Sequence, residues 1–267
     1  MCNNTCYNLY SIIFLNFRLT RERIVHKTNQ NKKGLLSTLK MLLKNRAFIG
    51  VSVASFTMMG ASLTITSLNV YIFKDYFNNT ALTSLGGMVG MVASFCVIPF
   101  AGTIVKKIGK KEATVLGGAF ATIIYGIMLI IPNLTAIAYI VLSFIAGLGT
   151  GLINTIIWAL VSDVIDYQEY ISGERNEGTV YSLYSLARKL AQAVSGGIGG
   201  VALSILGYKS GAAVQAASVG LGIKNMALGI AVFGYLLTTL ILLFVYNLSK
   251  KRLAEVNNEL AKKRVMV

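Results

Sequence analysis

The sequence predicts an all-α integral membrane protein built as a six-transmembrane-helix bundle, and three observations carry that prediction. The chain is 55% apolar and only 13% charged, about half the charged share of a soluble domain, and its mean hydropathy is +0.65. Its apolar residues gather into runs at 47–72, 82–105, 113–131, 135–161, 178–206 and 226–248, each near or above the ~20 residues that cross ~30 Å of hydrocarbon. Its basic residues crowd one side of those runs. Six soluble core helices would need a polar outer face at helical spacing, and "IAYIVLSFIAGLGTGLINTIIWALV" has none.

Residues 1–46 precede the bundle. The apolar stretch at 7–17, "YNLYSIIFLNF", is too short to span, and the basic run follows it, the reverse of a signal peptide. It reads as the last half of a cut helix. A basic cytoplasmic linker comes next, then "GLLSTLKMLLKNR", whose leucines repeat at helical spacing as in a helix lying on a membrane surface. The tail at 249–267 is basic and has the same character, with Leu253, Val256 and Leu260 on one side.

The net charge of +15 is read from its distribution. Twenty Lys and Arg fall in 18–46, 106–111, 162–177 and the tail, against three at the opposite ends of the spans, Lys74, Lys209 and Lys224. By the positive-inside rule both termini are expected in the cytoplasm of a multi-pass cell-membrane protein. The basicity is then a topology signal with some capacity for anionic lipid, and no nucleic-acid partner is expected. Cys2, Cys6 and Cys96 are too scattered for a disulfide framework or a zinc site, and His26 stands alone in a basic loop. No metal and no cofactor are expected.

Inside the spans, the small-residue clusters at 85–90, 146–151 and 195–200 are expected to be helix contacts. In the first span Ser52, Ser55, Met59, Ser62, Thr66 and Asn69 recur at three- and four-residue steps, so they share one face. That face is either a wet wall or a helix contact. The fifth span contains Arg188 and Lys189, ~15 Å from its start and so near mid-bilayer, where each would cost ~2.5–3.5 kcal/mol if it faced lipid. Ser185, Arg188, Lys189, Gln192, Ser195 and Gly199 fall in one arc of ~120°, a polar stripe at the depth where transporters bind substrate. The loop before it carries Asp163, Asp166, Glu169, Glu174, Arg175 and Glu177, a solvated acidic run with no metal or nucleophile geometry. An enzyme is therefore not expected.

The run "SDVIDYQEY", then "SGERNEG" and "YSLYSLARKLAQAVSGGIGG", with "GIKNM" and "GTIVKKIGKK" elsewhere, resembles the signature regions of the glycoside-pentoside-hexuronide:cation symporters. That group of the major facilitator superfamily includes the melibiose carrier, and the resemblance covers residues 7–250. In "GTIVKKIGKK", Lys106 stands where the superfamily has an acid. The resemblance implies a twelve-helix fold in two halves around a central cavity, of which this chain is the carboxyl-terminal half, preceded by the remnant of a sixth helix within residues 1–46. It implies that Lys189 is the family's functionally critical lysine, with Ser185 on the same cavity face, and that Asp163, Asp166 and Arg175 form a cytoplasmic gate. The cavity set is Lys189, Arg188, Ser185, Gln192, Asn154 and Trp158. The expected partners are a sugar or glycoside, the bilayer and an amino-terminal six-helix half. That half would hold most of the site for a coupling cation, sodium or proton. The other reading is an inactive structural membrane fragment of a split or truncated transporter gene.

Overall fold

The computed structural model describes residues 40–265 apart from Ala213, together with Phe14 and Arg18. The chain divides into two compact units, Met1–Ser37 and Thr38–Val267, and the helices below belong to the second. The expected helix remnant at 7–17, the linker and the start of the surface helix lie outside the described residues, except for Phe14 and Arg18. Among the described residues the fold is all helix with no strand.

Helix α1 spans Arg46–Tyr71 and runs on into a π-helical turn at Ile72–Tyr76. Asn45 caps it by accepting from the backbone N–H groups of Ala47 and Phe48, which satisfies two of the donors a helix start leaves open. After a 3₁₀ turn, α2 covers Thr83–Ile108 and α3 Lys110–Ile130. Gly109, between them, has φ 106°, a left-handed conformation that favours glycine. Helix α4 is Ala136–Ser172, capped by Thr135 and closed by left-handed Gly173; α5 is Glu177–Ile205, α6 Ala217–Phe244 and α7 Lys250–Val265.

Five of these stretches are long and apolar enough to cross a membrane, Arg46–Tyr76, Thr80–Ile108, Lys110–Ile130, Ala136–Ser172 and Ala217–Phe244. The sixth, α5, matches them in length at 29 residues but carries the two cations, which lower its mean hydropathy. Helices α1, α6, α3, α4 and α2 pack in that cyclic order, and α5 rests chiefly on α1. The core falls into two clusters, one around Leu42, Val51, Leu160, Tyr184 and Tyr246, the other around Met58, Phe73, Met128, Tyr139 and Tyr235. Large apolar side chains also cover the outside, among them Met88, Phe95 and Phe100 on α2 and Leu190, Ile198 and Ile205 on α5, as befits a protein whose surroundings are as apolar as its interior. This is a membrane protein.

The structure departs from the sequence reading in four places. Helix α4 does not end at 161. It continues to Ser172, so that at 37 residues it is ~55 Å long and outreaches the hydrocarbon. Asp163, Asp166 and Glu169 therefore lie on a helix rather than in a loop, and Asp163 is tolerated there because Lys110 Nζ lies 2.6 Å from its Oδ1. Helix α6 begins at Ala217 rather than 226. In α7, Val256 and Leu260 are buried and the helix packs on α4, so its apolar side faces protein instead of lipid. The small residues at 195–200 are not a helix contact throughout: a Cβ on Gly196, Gly197 or Gly200 would meet nothing within 4 Å, and only Gly199 is close to a neighbour, Ser67. By contrast, the glycines at 146–151 bring backbones together, since a Cβ on Gly147 would sit 2.6 Å from Ala93 and one on Gly151 2.7 Å from Ser94 Cα.

Candidate functional site

A cleft of about 210 Å³ opens between α1, α2 and α4, with Tyr125 of α3 and Tyr235 of α6 also in its wall. Its α1 side carries Ser62, Thr66 and Asn69, half of the polar face read from the first span. The other half does something else. Ser52 and Ser55 are buried, and Ser55 Oγ donates to Tyr184 Oη of α5 at 3.0 Å. The stripe is thus a wet wall at one end and a helix contact at the other.

Asn69 is fixed at the cleft. Tyr139 Oη donates to its Oδ1 at 2.6 Å, and its Nδ2 approaches Gly86 O at 3.5 Å. Tyr139 is in turn wedged edge-on against Phe73 and Phe77, side chains brought there by the π-helical turn of α1, a feature frequent at functional sites. Glycines 86, 87 and 90 line the α2 side; nothing lies within 4 Å of a Cβ on Gly87 or Gly90, which leaves backbone accessible. Hydroxyl, amide and aromatic groups in one cleft suit a polyhydroxylated surface.

The six residues expected to line the cavity do not form one cluster. Asn154 lines the cleft. Trp158, four residues on along α4, lies under Arg188, whose guanidinium carbon is 4.7 Å from the indole ring and 5.8 Å from that of Tyr184. Arg188 Nη1 also donates to Tyr184 Oη at 3.4 Å. Lys189 is exposed and donates to Gln192 Oε1 at 3.2 Å. Gln192 lies with Leu63, Ser67, Ser195 and Gly196 in a second, more open recess. Ser185 is half-buried and in neither cavity. Among the described residues neither cation of α5 has an ion pair.

Sequence reasoning passed over Tyr139 and Tyr184, which orient Asn69 and Arg188. The spacing of Tyr184 and Arg188, four apart and so stacked on one helix face, was the available signal; for Tyr139 no local signal exists, because its partner is 70 residues away.

The expected gate residues separate into two groups. Arg175 Nη1 reaches Asp166 Oδ1 and Glu169 Oε2, both at 2.7 Å, and its Nε binds Glu177. Burial opposes its charge, but the hydrogen bonds it donates to Glu169, Asp166 and Glu177 outweigh that and hold the guanidinium above its ordinary pKa. Asp163 belongs instead with Lys110. Several cations at this end terminate helices. Arg46 donates to Phe244 O at 2.7 Å, Lys111 to Leu243 O and Tyr246 O at 3.0 and 2.6 Å, and Lys250 to Lys106 O at 2.7 Å, each at a helix C-terminus where carbonyls are left over and positive charge is favoured. No three His, Cys, Asp or Glu side chains converge as metal ligands among the described residues.

A polytopic helical bundle with a polar cleft set into its membrane-spanning part is the architecture of a membrane transporter. Residues 7–250 match the MFS/sugar transport protein family, and the chain belongs to it. It is 31% identical over 251 residues to the uncharacterized symporter YjmB of Bacillus subtilis (strain 168), covering 94% of this chain and 54% of that protein. It is 28% identical to the glucuronide carrier protein homolog of Escherichia coli (strain K12), over 92% of this chain and 53% of that one. The isoprimeverose transporter of Lactiplantibacillus pentosus is likewise 28% identical, over 96% and 53%. The chain spans about half the length of these curated relatives. The family is one of transporters and not of enzymes.

Proposed function

We propose that this chain forms one wall of a sugar or glycoside carrier that couples transport to sodium or a proton. The carrier works by alternating access against a second six-helix half. The observation that carries this reading is the polar cleft between α1, α2 and α4 in a chain that matches a sugar-transport family over nearly its whole length. Hydroxyl and amide donors such as Ser62, Asn69 and Asn154 suit the hydroxyls of a sugar, and Tyr125 and Tyr235, stacked with centroids 5.7 Å apart, offer an apolar floor. One bundle supplies one wall. Vesicles containing only this chain are therefore expected to give no gradient-driven sugar uptake, and co-expression of an amino-terminal six-helix half to restore it. Saturable, cation-dependent uptake by the purified chain alone would overturn the two-half reading.

The cytoplasmic gate of this carrier comprises Asp163, Asp166 and Arg175, all at the end of the bundle that also gathers the basic residues. The protein lies in the plasma membrane with both termini in the cytoplasm, supported by the twenty-to-three division of basic residues. Single cysteines introduced at Asn79 and at Lys110, after replacement of the native cysteines, test this with an impermeant thiol reagent. Labelling from outside is expected at position 79. Labelling at 110 instead would invert the topology.

A further inference from the structure

Lys106, Lys107, Lys250 and Lys251 meet where the turn from α2 to α3 lies against the start of α7. Lys250 brings them together: its Nζ donates to Lys106 O at 2.7 Å and to Lys107 O at 3.4 Å, and a Cβ on Gly109 would stand 3.2 Å from Lys250 Cβ. All four lysines are exposed. Among the described residues none of them has an ion pair. Lys106 stands where the superfamily has an acid, so this density of charge belongs to the chain and not to the family pattern.

The negative groups near these lysines are occupied elsewhere. Asp163 pairs with Lys110 and Glu255 with Arg252, and Glu112, in the first turn of α3, keeps one carboxylate oxygen buried. The carbonyls that end α2 and α6 already accept from Lys250, Arg46 and Lys111. Helices α3 and α7 both begin here, at Lys110 and Lys250, and a helix start is the positive end of its dipole. The charge left over is therefore positive. Apolar surface adjoins it: Leu116 and Phe120 on α3 and Leu243 and Phe244 on α6 are exposed. Leu116 and Phe120 lie ~9 and ~15 Å along α3 from Lys110, and Lys111 joins the start of α3 to the end of α6 through Leu243 O. Unpaired cations at the end of helices whose outside is apolar match an oxyanion carried on acyl chains. A soluble phosphate would leave the apolar surface unused.

We infer that this corner of the bundle is a binding site for an anionic phospholipid of the phosphatidylglycerol class. Lys106, Lys107 and Lys251 take the phosphodiester, helped by the starts of α3 and α7, and the acyl chains lie along the outside of α3 and α6. Lys250 is a positioning residue, since its amine holds α7 against the end of α2. The inference does not depend on the sugar-carrier reading.

Native mass spectrometry of the purified chain in detergent resolves each bound lipid. The chain is titrated with phosphatidylglycerol and with phosphatidylcholine of the same acyl chains. The first phosphatidylglycerol is expected to bind about tenfold or more tightly than phosphatidylcholine. Lys106→Gln with Lys107→Gln is expected to weaken phosphatidylglycerol by about tenfold or more, at roughly fivefold for each lysine, and to leave phosphatidylcholine within about twofold. Lys74→Gln with Lys209→Gln removes as much charge from two exposed lysines at the opposite end of the bundle and is expected to change neither lipid. Circular dichroism of each variant separates loss of binding from loss of fold. Equal affinity for the two lipids in the unaltered chain would overturn the proposal, as would unchanged phosphatidylglycerol binding in Lys106→Gln with Lys107→Gln. Equal losses in the two double variants would also overturn it, by showing a general attraction of a basic chain. Displacement of the lipid by inorganic phosphate, with sodium chloride holding the ionic strength constant, would assign the lysines to a soluble phosphate instead.

Discussion

Lys189→Ala is expected to abolish sugar accumulation in a carrier reconstituted with a second half, reducing uptake to the background of vesicles without protein. The side chain is exposed, and its hydrogen bond to Gln192 Oε1, at 3.2 Å, is too weak to be the reason an ammonium sits at mid-helix. An exposed amine at that depth costs ~2.5–3.5 kcal/mol against lipid, so a cation is kept there only where a wet cavity or an opposing anion removes that cost. Truncation to alanine deletes the charge with little loss of packing, because the side chain is exposed. Lys251→Ala is the comparator, a cation at the exposed start of α7, where surface charges contribute little. Uptake retained in Lys189→Ala would make the lysine structural.

Gly151→Leu is expected to unseat α2 from α4. A Cβ at 151 would stand 2.7 Å from Ser94 Cα, which is backbone and cannot rotate away, and at 147 a Cβ would stand 2.6 Å from Ala93 Cβ. Helices in a membrane gain from close approach rather than from escaping water, so a side chain wedged between backbones removes the interaction that holds them. Overpacking of this kind costs about 1–3 kcal/mol in well-packed interiors. Because Ser94, Gly147 and Thr150 also border the cleft, the same displacement reshapes it. The measurement is thermal unfolding in detergent, with Gly126→Leu beside it, since nothing lies within 4 Å of a Cβ there. A lowered midpoint for Gly151→Leu alone is the expected result; equal midpoints would mean that α2 repacks freely.

The helices themselves were legible because hydrophobicity around the whole circumference is a strong, local signal. So was the wet half of α1, where Ser62, Thr66 and Asn69 recur at helical spacing. The end of α4 was not, because a hydropathy reading stops at the first charge, whereas Asp163 continues the helix once Lys110, 53 positions away, neutralises it. The same limit applied to Arg188. Its charge and depth could be read from the chain, but its support is an indole on another helix, and a cation over a ring leaves no periodicity behind. Glycine content was equally ambiguous: 146–151 and 195–200 look alike on paper, and only packing distinguishes a groove pressed against a neighbour from one left open.

The cations that close the carbonyl ends of α2 and α6 mean that positive charge at this end of the bundle is not interchangeable currency. A tally of lysines and arginines treats Arg46, Lys111 and Lys250 as equivalent votes for one orientation, yet each also terminates a particular helix through a particular oxygen. Transplanting them to the opposite end to invert the protein would strip the ends of two helices while trying to steer them. In this chain the cations that a charge-based topology rule counts are the same side chains that fasten the helix ends.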